Sequence, residues 1–339
     1  MKRVGYLFEK VTDLDNLYEA YLKAIRGKRG KPDVVGFAMN AERNLQNLKQ
    51  RIENDTVEIG RYRYFTIYDP KERLICAAHI EERILHHALM NVCRPYFENQ
   101  YVDKSYATRI GKGVYAALDE ARSVLRKNKF VAKLDVRKYY DTIRHDVLKR
   151  KLFRLFKDRR LLSLFNRLID SYDKGGGRGL PIGNLTSQYF ANLYLSRIDR
   201  MMMEHDGCGG YVRYMDDVLI GGNDRSQLLK MVGEARSMLA EIGLELKPVA
   251  VVHNYDGVSF LGYHVFGGYL GLNSRSKRRF RHKLGVYTNK LVCGDWSQWT
   301  YKRHIVPMYS FVQKTNENGF FIDCMKSINQ GGDGDVSTV

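Results

Sequence analysis

The sequence is organised around Gly209–Gly222, which reads GGYVRYMDDVLIGG. Pairs of glycines open and close the stretch, and its two inner runs, Tyr211–Tyr214 and Val218–Ile220, are rich in the aromatic and β-branched residues that favour strands. The polar break between them predicts a β-hairpin with two adjacent carboxylates, Asp216 and Asp217, at its tip. Aspartate is also an ordinary turn former, so this pair on its own favours a plain turn.

A third carboxylate gives the pair a chemical meaning. The apolar run Phe130–Asp135 ends on an acid, and only folding can bring it near Asp216 and Asp217, which lie far along the chain. Adjacent carboxylates repel each other unless a cation lies between them, and hard oxygen ligands suit Mg²⁺. Three acids are the ligand set that holds two Mg²⁺ ions for in-line displacement at phosphorus. The sequence therefore predicts a two-metal nucleotidyl-transfer site.

Composition indicates a polyanionic partner. The 339-residue chain has 56 Lys and Arg against 38 Asp and Glu, a formal net charge of +18, which is typical of nucleic-acid binding. Hydrophobic residues make up 44%, enough for a core in one to three folding units. The five cysteines are widely spaced without a CxxC pattern, which predicts a reducing, cytoplasmic location. The sequence contains no apolar run of membrane-spanning length, so no membrane partner is expected.

Helical and hairpin patterns precede the acids. Residues 1–60 are predicted to be mostly helical, including a helix over Ala41–Glu53, and Gly60–Ala77 is predicted to be a hairpin. The hairpin carries Arg63 and Arg73, which either clamp a triphosphate or are solvated strand charges.

Histidines cluster near one acid in the next predicted helix, Ile80–Val92. Glu82 lies one helical turn from both His79 and His86, and His87 follows. A metal site is one interpretation, but ordinary packing or surface histidines are favoured because no other ligand lies nearby.

Basic residues recur in a glycine-rich loop, in a run at 145–165 and in a segment after residue 273. Loop amides at a helix N-terminus could hold a phosphate, and the basic runs could track a nucleic-acid backbone; the alternative for each is a solvated surface. The predicted nucleic-acid contacts are Lys112, Lys149, Arg150, Arg275, Lys277, Arg278 and Arg279.

Four motifs in this order resemble those of the reverse transcriptases, and the match covers most of the chain. They are Asp135 with Tyr139 and Tyr140 (first catalytic motif), Gly179–Gln188 (nucleotide and template loop), Tyr214–Asp217 (YMDD catalytic box) and Phe260–Tyr263 (primer grip). The resemblance implies an α+β right-hand polymerase in which a small antiparallel palm sheet carries the hairpin. Its implied parts are a helical N-terminal segment (1–60), fingers (61–129 and 142–178), palm (130–141 and 179–271), helical thumb (272–328) and a disordered tail (329–339).

The resemblance also implies functional roles. Asp135, Asp216, Asp217 and the Val136 carbonyl would hold two Mg²⁺ ions, with Mn²⁺ as an alternative. The incoming dNTP would contact Arg63, Arg73, Tyr139, Tyr140, Ile182, Gly183 and Gln188, and the primer would contact Phe260, Leu261, Gly262 and Tyr263. Tyr140 would exclude the ribose 2′-hydroxyl, and Lys247 is the nearest candidate for the proton donor to pyrophosphate.

The nucleotide loop indicates a subfamily. Ile182 stands where retroviral and intron enzymes usually carry Gln, a variant that resembles the enzymes of diversity-generating retroelements and related defence-associated reverse transcriptases. This implies error-prone synthesis of cDNA on an RNA template, with a small basic accessory protein or a second subunit as further partners. The alternatives are an antiphage enzyme that uses a dedicated non-coding RNA and a catalytically silent RNA-binding scaffold. Intact Asp135, Asp216 and Asp217 disfavour the scaffold.

Overall fold

Helices supply most of the chain. In the computed structural model, which describes residues 3–68 and 71–331, they are α1 (Phe8–Thr12), α2 (Leu14–Ile25), α3 (Pro32–Ala38), α4 (Ala41–Glu53), α5 (Ile80–Glu98), α6 (Val114–Lys127), α7 (Tyr139–Thr142), α8 (His145–Leu155), α9 (Arg159–Asp170), α10 (Leu185–Glu204), α11 (Arg225–Glu241), α12 (Ser274–Val292), α13 (Gln298–Gln313) and α14 (Asn318–Gly331). None of the described helices is long and apolar enough to span a bilayer.

Nine described strands form three small sheets. The strands are β1 (Tyr62–Ile67), β2 (Arg73–Ala78), β3 (Phe130–Asp135), β4 (Gly210–Tyr214), β5 (Asp217–Gly222), β6 (Val251–His253), β7 (Val258–Phe260), β8 (Tyr263–Val265) and β9 (Leu270–Leu272). Their orders are β1-β2, β4-β5-β3-β6 and β7-β8-β9, and the hairpins β1-β2, β4-β5 and β7-β8 are antiparallel. These elements confirm the predicted α+β class with a small sheet that carries the YMDD hairpin.

The chain divides into two compact units. The first comprises Met1–Gly113, Asp135–His205 and Val232–Pro248, and the second comprises Val114–Leu134, Asp206–Met231 and Val249–Val339. The first unit contains the β1-β2 hairpin. The second contains the two larger sheets, and the boundary after Leu134 assigns the last residue of β3 to the first unit.

An aromatic cluster forms the core of the first unit. Phe97 of α5 lies 5.7–6.2 Å, between ring centroids, from Phe156, Phe165 and Phe190. Each such aromatic pair contributes about 0.5–1.5 kcal/mol beyond its buried area. This packing explains why α5 continues past the predicted end at Val92, since its last turns complete the cluster.

The glycines of the YMDD stretch allow α6 to cross it closely in the second unit. A Cβ at Gly210 would lie 2.9 Å from Val124, and one at Gly221 would lie 2.7 Å from the same side chain. A Cβ at Gly209 would collide with Asn128. Any larger residue at these positions would push the helix away from the hairpin, which would shift the strands that carry the two acids.

Some predicted details are wrong. The helical spacing of apolar residues in the sequence predicts that Leu22 of α2 and Leu229 of α11 lie on apolar faces, but they are 45% and 43% exposed, because neighbouring Tyr21 and Leu228 face the core. α14 extends to Gly331, beyond the predicted start of the tail at residue 329. Asp69 and Pro70, in the predicted turn of the first hairpin, and the tail after residue 331 lie outside the described residues.

Candidate active site

The hairpin tip is a two-residue turn, and Asp217 lies in the first position of β5 rather than in the turn. Tyr214 pairs with Asp217 across the strands, which leaves Met215 and Asp216 in the turn. Met215 has φ +55°, an uncommon conformation for a residue with a side chain. Its carbonyl accepts a hydrogen bond of 3.0 Å from the guanidinium of Arg213, a fully buried side chain. A buried charged donor thus stabilises the strained turn, which is the pattern expected of a functional site.

Asp217 is paired with a lysine from the neighbouring strand. β5 lies beside β3 in the sheet, and Nζ of Lys133 lies 2.8 Å from Oδ1 of Asp217. The lysine and aspartate side chains are 28% and 30% exposed, so the ion pair is only partly hydrated. Lys133 therefore balances the charge of the second acid of the YMDD box.

Asp135 has a corresponding partner within the first unit. Nζ of Lys247 lies 2.8 Å from each oxygen of the Asp135 carboxylate. The backbone N–H of Lys247 also donates to the Asp135 carbonyl at 3.0 Å, and Val136 forms a β-bridge with Leu246. This short pairing fixes Lys247, the residue considered for proton donation, directly beside the acid.

The nucleotide loop is attached to β2. The Ile182 carbonyl accepts a hydrogen bond of 2.8 Å from the Cys76 N–H. Gly183 has φ +120°, and a Cβ there would lie 2.9 Å from the Cys76 carbonyl oxygen. The resemblance implies that Gly183 contacts the incoming dNTP. In the described structure, the group that would lie closest to a Cβ at Gly183 is the Cys76 carbonyl of β2.

The two predicted triphosphate-binding arginines share one face of the first hairpin. Arg63 pairs with Ala77, and Arg73 pairs with Ile67, so the antiparallel register directs both guanidinium groups to the same side. Both side chains are exposed. Arg63 also lines a cavity of about 480 Å³ together with Gly183.

The adjacent tyrosines of the first catalytic motif lie in different surroundings. Tyr139 is 3% exposed, and its hydroxyl donates to the Ala191 carbonyl at 2.5 Å, so this side chain belongs to the core. Tyr140 is half-buried and is therefore the better placed of the two to contact a ligand. In the nucleotide loop, the Gln188 side-chain carbonyl accepts a hydrogen bond of 2.9 Å from Thr108.

The predicted primer grip is a tight hairpin in the second unit. Phe260 and Tyr263 are fully buried, whereas Leu261 and Gly262 form the turn with φ +50° and +91°. The Gly262 carbonyl accepts a hydrogen bond of 2.7 Å from the Ser276 hydroxyl at the start of α12. Of these four residues, Leu261 and Gly262 are the accessible ones.

Several predicted nucleic-acid contacts already form surface ion pairs. These pairs are Lys112–Asp103 (2.7 Å), Lys149–Asp170 (2.6 Å), Arg150–Asp146 (3.0 Å) and Lys277–Glu317 (2.6 Å). Arg275 and Arg278 are exposed on α12, and Arg279 is half-buried. Exposed ion pairs are worth about 0–1 kcal/mol, so a phosphate could displace any of them.

Comparison with known proteins identifies the family. Residues 68–265, more than half of the chain, match the family model described as reverse transcriptase (RNA-dependent DNA polymerase). The chain belongs to the reverse transcriptase family. The predicted enzyme class, RNA-directed DNA polymerase, is thereby confirmed, and the family agrees with the predicted right-hand polymerase fold.

Similar proteins include a bacterial protein and a yeast intron protein. Protein YkfC of Escherichia coli (strain K12) is 22% identical over 317 residues, covering 78% of this chain and 83% of the relative. The putative COX1/OXI3 intron 2 protein of Saccharomyces cerevisiae is 20% identical, covering 54% of this chain and 29% of the relative. A telomerase structure from Candida tropicalis covers 87% of this chain and 59% of its own, with 12% identity and a TM-score of 0.48.

The donor chemistry of this reverse transcriptase suits Mg²⁺. Among the described residues, no three His, Cys, Asp or Glu side chains are grouped closely enough to hold a metal unaided. Mg²⁺ in proteins usually takes one or two carboxylates and completes its shell with water and substrate phosphates. Asp135 and Asp217 are partly exposed carboxylates, each paired with a lysine ammonium at 2.8 Å, so a bound cation would have to displace that lysine.

Two features of the site, Lys133 and Arg213, are missing from the sequence predictions. From the sequence alone, Lys133 resembles an ordinary charged residue of a strand, and Arg213 resembles a solvent-exposed residue of a strand. His86, considered as a metal ligand or a packing residue, is buried and hydrogen bonded to Thr186. A lone charge inside an apolar strand was the signal available for Lys133 and Arg213.

Proposed function

We propose that this reverse transcriptase extends a primer on an RNA template by two-metal nucleotidyl transfer, with Asp135, Asp216 and Asp217 as the metal ligands. The observation that carries the proposal is the Asp217–Lys133 pair beside a turn stabilised by buried Arg213. A strained, stabilised turn that presents two acids is costly for a protein that only binds RNA. Two bound Mg²⁺ ions, or Mn²⁺, would activate the primer 3′-hydroxyl and neutralise the triphosphate.

The chain's own residues have separate tasks in this proposal. Arg63 and Arg73, on one face of the first hairpin, bind the triphosphate oxygens of the incoming dNTP. Tyr140 lies under the sugar and leaves no room for a 2′-hydroxyl. Lys247, which lies beside the Asp135 carboxylate, would donate its ammonium proton to the leaving pyrophosphate.

We further propose low-fidelity synthesis of the type found in diversity-generating retroelements. Ile182 supports this, because its carbonyl is bonded to β2 while its side chain offers no donor or acceptor to a base pair. The template RNA, the cDNA and dNTPs are the partners of this activity. A small basic accessory protein or a second subunit, and a cytoplasmic location, stay predictions.

Primer extension on an RNA template tests the proposal. We expect Asp216→Asn to lower extension by about 10³-fold or more, because a metal ligand contributes several kcal/mol to the transition state. RNA affinity, measured on the same preparation, should change little. Asp206→Asn, an exposed acid outside the turn, is the control and should extend normally. Near-normal extension by Asp216→Asn would contradict the assignment.

A further inference from the structure

A chain of buried polar side chains connects α5 to the first turn of α10. Glu82, His86, Asn184 and Thr186 are each at most 3% exposed. Buried polar groups are retained in folds where they are hydrogen bonded, and such networks specify one arrangement. Because α10 begins directly after Ile182–Gly183, whatever fixes its first turn also fixes that loop.

His86 forms one end of the chain. Its Nδ1 lies 2.8 Å from the hydroxyl oxygen of Thr186, and its Nε2 lies 3.4 Å from the Glu82 carboxylate. This 3.4 Å contact is electrostatic and not a hydrogen bond, and the negative charge of the carboxylate favours the proton on Nε2, which leaves Nδ1 to accept the hydrogen bond that Thr186 donates. The imidazole therefore holds Thr186 in one orientation from inside the core.

Tyr62 of β1 forms the other end. Asn184 donates to the Tyr62 hydroxyl oxygen at 3.1 Å, and that hydroxyl lies 3.0 Å from the Ser171 oxygen. Ser171 donates its own proton to the Leu168 carbonyl, so it accepts the bond from Tyr62. Burial, followed by the charge of Glu82, raises the pKa of Tyr62, which keeps the hydroxyl protonated as a donor.

Glu82 joins the two ends. Its second carboxylate oxygen accepts a hydrogen bond of 3.0 Å from the Gly60 N–H. Gly60 has φ +88°, and a Cβ there would lie 2.8 Å from the Ser171 side chain. The residues that lead into β1, and with them Tyr62, are therefore held by the same carboxylate that faces His86.

We propose that Tyr62, Glu82 and His86 are positioning residues that determine how selectively the Ile182–Gly183 loop accepts a nucleotide. The proposal rests on the proposed function, in which this loop contacts the incoming dNTP. A loop held in one geometry binds the matched nucleotide well, because its contacts are already oriented. A loosened loop loses affinity for the matched nucleotide and accepts mismatched pairs more readily.

Single-nucleotide incorporation on an RNA template, with matched and mismatched dNTPs, is the first measurement. Loss of one hydrogen bond predicts a KM for the matched dNTP that is about fivefold higher in His86→Leu and Tyr62→Phe. Because the catalytic acids are unchanged, kcat should stay within about twofold, and mismatch incorporation should rise. His86→Gln, which keeps a polar group toward Thr186, should recover part of the loss. Leu89→Val, buried in α5 outside the polar chain, should leave KM unchanged.

The outcomes separate this proposal from the proposed function. If the parent incorporates nucleotides and His86→Leu has the same KM and mismatch frequency, the positioning role is overturned and the polymerase function stands. If the parent incorporates nothing, the proposed function fails, and hydrogen exchange decides the positioning role. Amides at 182–187 should then exchange faster in His86→Leu than in Leu89→Val, and equal exchange would overturn it.

Discussion

Single residues show how the site balances its charge. Asp135 and Asp217 each lie 2.8 Å from a lysine ammonium, on Lys247 and Lys133 respectively. The acids themselves are predictable, because an acid that ends an apolar strand and a pair at a hairpin tip are local patterns. The lysines that balance these acids are not predictable from local patterns. The partner of Asp217 depends on which strand lies beside β5, and a single sequence does not specify strand order.

Removing Lys133 tests this charge balance. Without its ammonium, the Asp217 carboxylate is free for a cation, so we expect Lys133→Met to bind Mn²⁺ up to about fivefold more tightly than the parent. In the presence of a chelator, Lys133→Met should lose about 1 kcal/mol or less of unfolding free energy, since the Lys133–Asp217 ion pair is partly exposed. Paramagnetic resonance titration and thermal melting measure the two effects. Lys129→Met, an exposed lysine just before β3, is the matched control. Unchanged or weaker Mn²⁺ binding by Lys133→Met would refute the argument.

Adjacent tyrosines give a paired test of sugar selection. Tyr140 is half-buried, so Tyr140→Ala should raise ribonucleotide use relative to dNTPs by about tenfold or more, because the lost ring opens space for the 2′-hydroxyl. Tyr139 is in the core, so Tyr139→Ala should instead lose about 3–5 kcal/mol of unfolding free energy. Ratios of kcat/KM and urea unfolding measure these effects. The gate would lie at another residue if Tyr140→Ala discriminated as well as the parent.

Secondary-structure elements follow the sequence closely where one face is apolar. α4 spans the predicted Ala41–Glu53, and the YMDD hairpin forms where it was predicted, although Asp217 belongs to β5 and not to the turn. The contacts between elements are less accessible to sequence reasoning. Gly209 and Gly221 serve the close approach of α6, a contact that no local pattern indicates. The polar chain from Glu82 to Thr186 is hidden for the same reason.

The loop before α10 carries the fidelity prediction. Its backbone is attached to β2 through Ile182 and Cys76, so the Ile182 side chain is presented in a fixed place without polar atoms. We expect Ile182→Gln to make several-fold fewer errors, because a hydrogen-bonding site leaves polar groups unpaired opposite a wrong base. Ile182→Val keeps an apolar surface and should retain the parental spectrum. Sequencing cDNA made on one mixed RNA template measures both. Equal spectra for Ile182→Gln and the parent would remove the fidelity role and favour the defence alternative.

The whole molecule carries its positive charge unevenly. Some of the 56 lysines and arginines are paired with nearby acids, such as Lys149 with Asp170 and Lys277 with Glu317. Arg275 and Arg278 form no ion pair with any described acid. Arg275 and Arg278, in the first two turns of α12, therefore present uncompensated charge to an approaching polyanion, which a uniform distribution of the same charge would not do.

Salt dependence separates that local surface from the net charge. Arg275→Glu, Arg278→Glu and Arg279→Glu together lower the formal charge by six, from +18 to +12, and so do Lys10→Glu, Lys129→Glu and Lys230→Glu, three exposed lysines on other segments. For single-stranded RNA, each neutralised phosphate contributes about −0.7 to the slope of log affinity against log salt. If three phosphates contact α12, the arginine variant should lose about two units of slope on every RNA sequence, because phosphate contacts carry no base information. The lysine variant has the same net charge and should keep most of the parental slope. Equal slopes for the two variants would mean that the total charge, and not the α12 surface, sets RNA affinity.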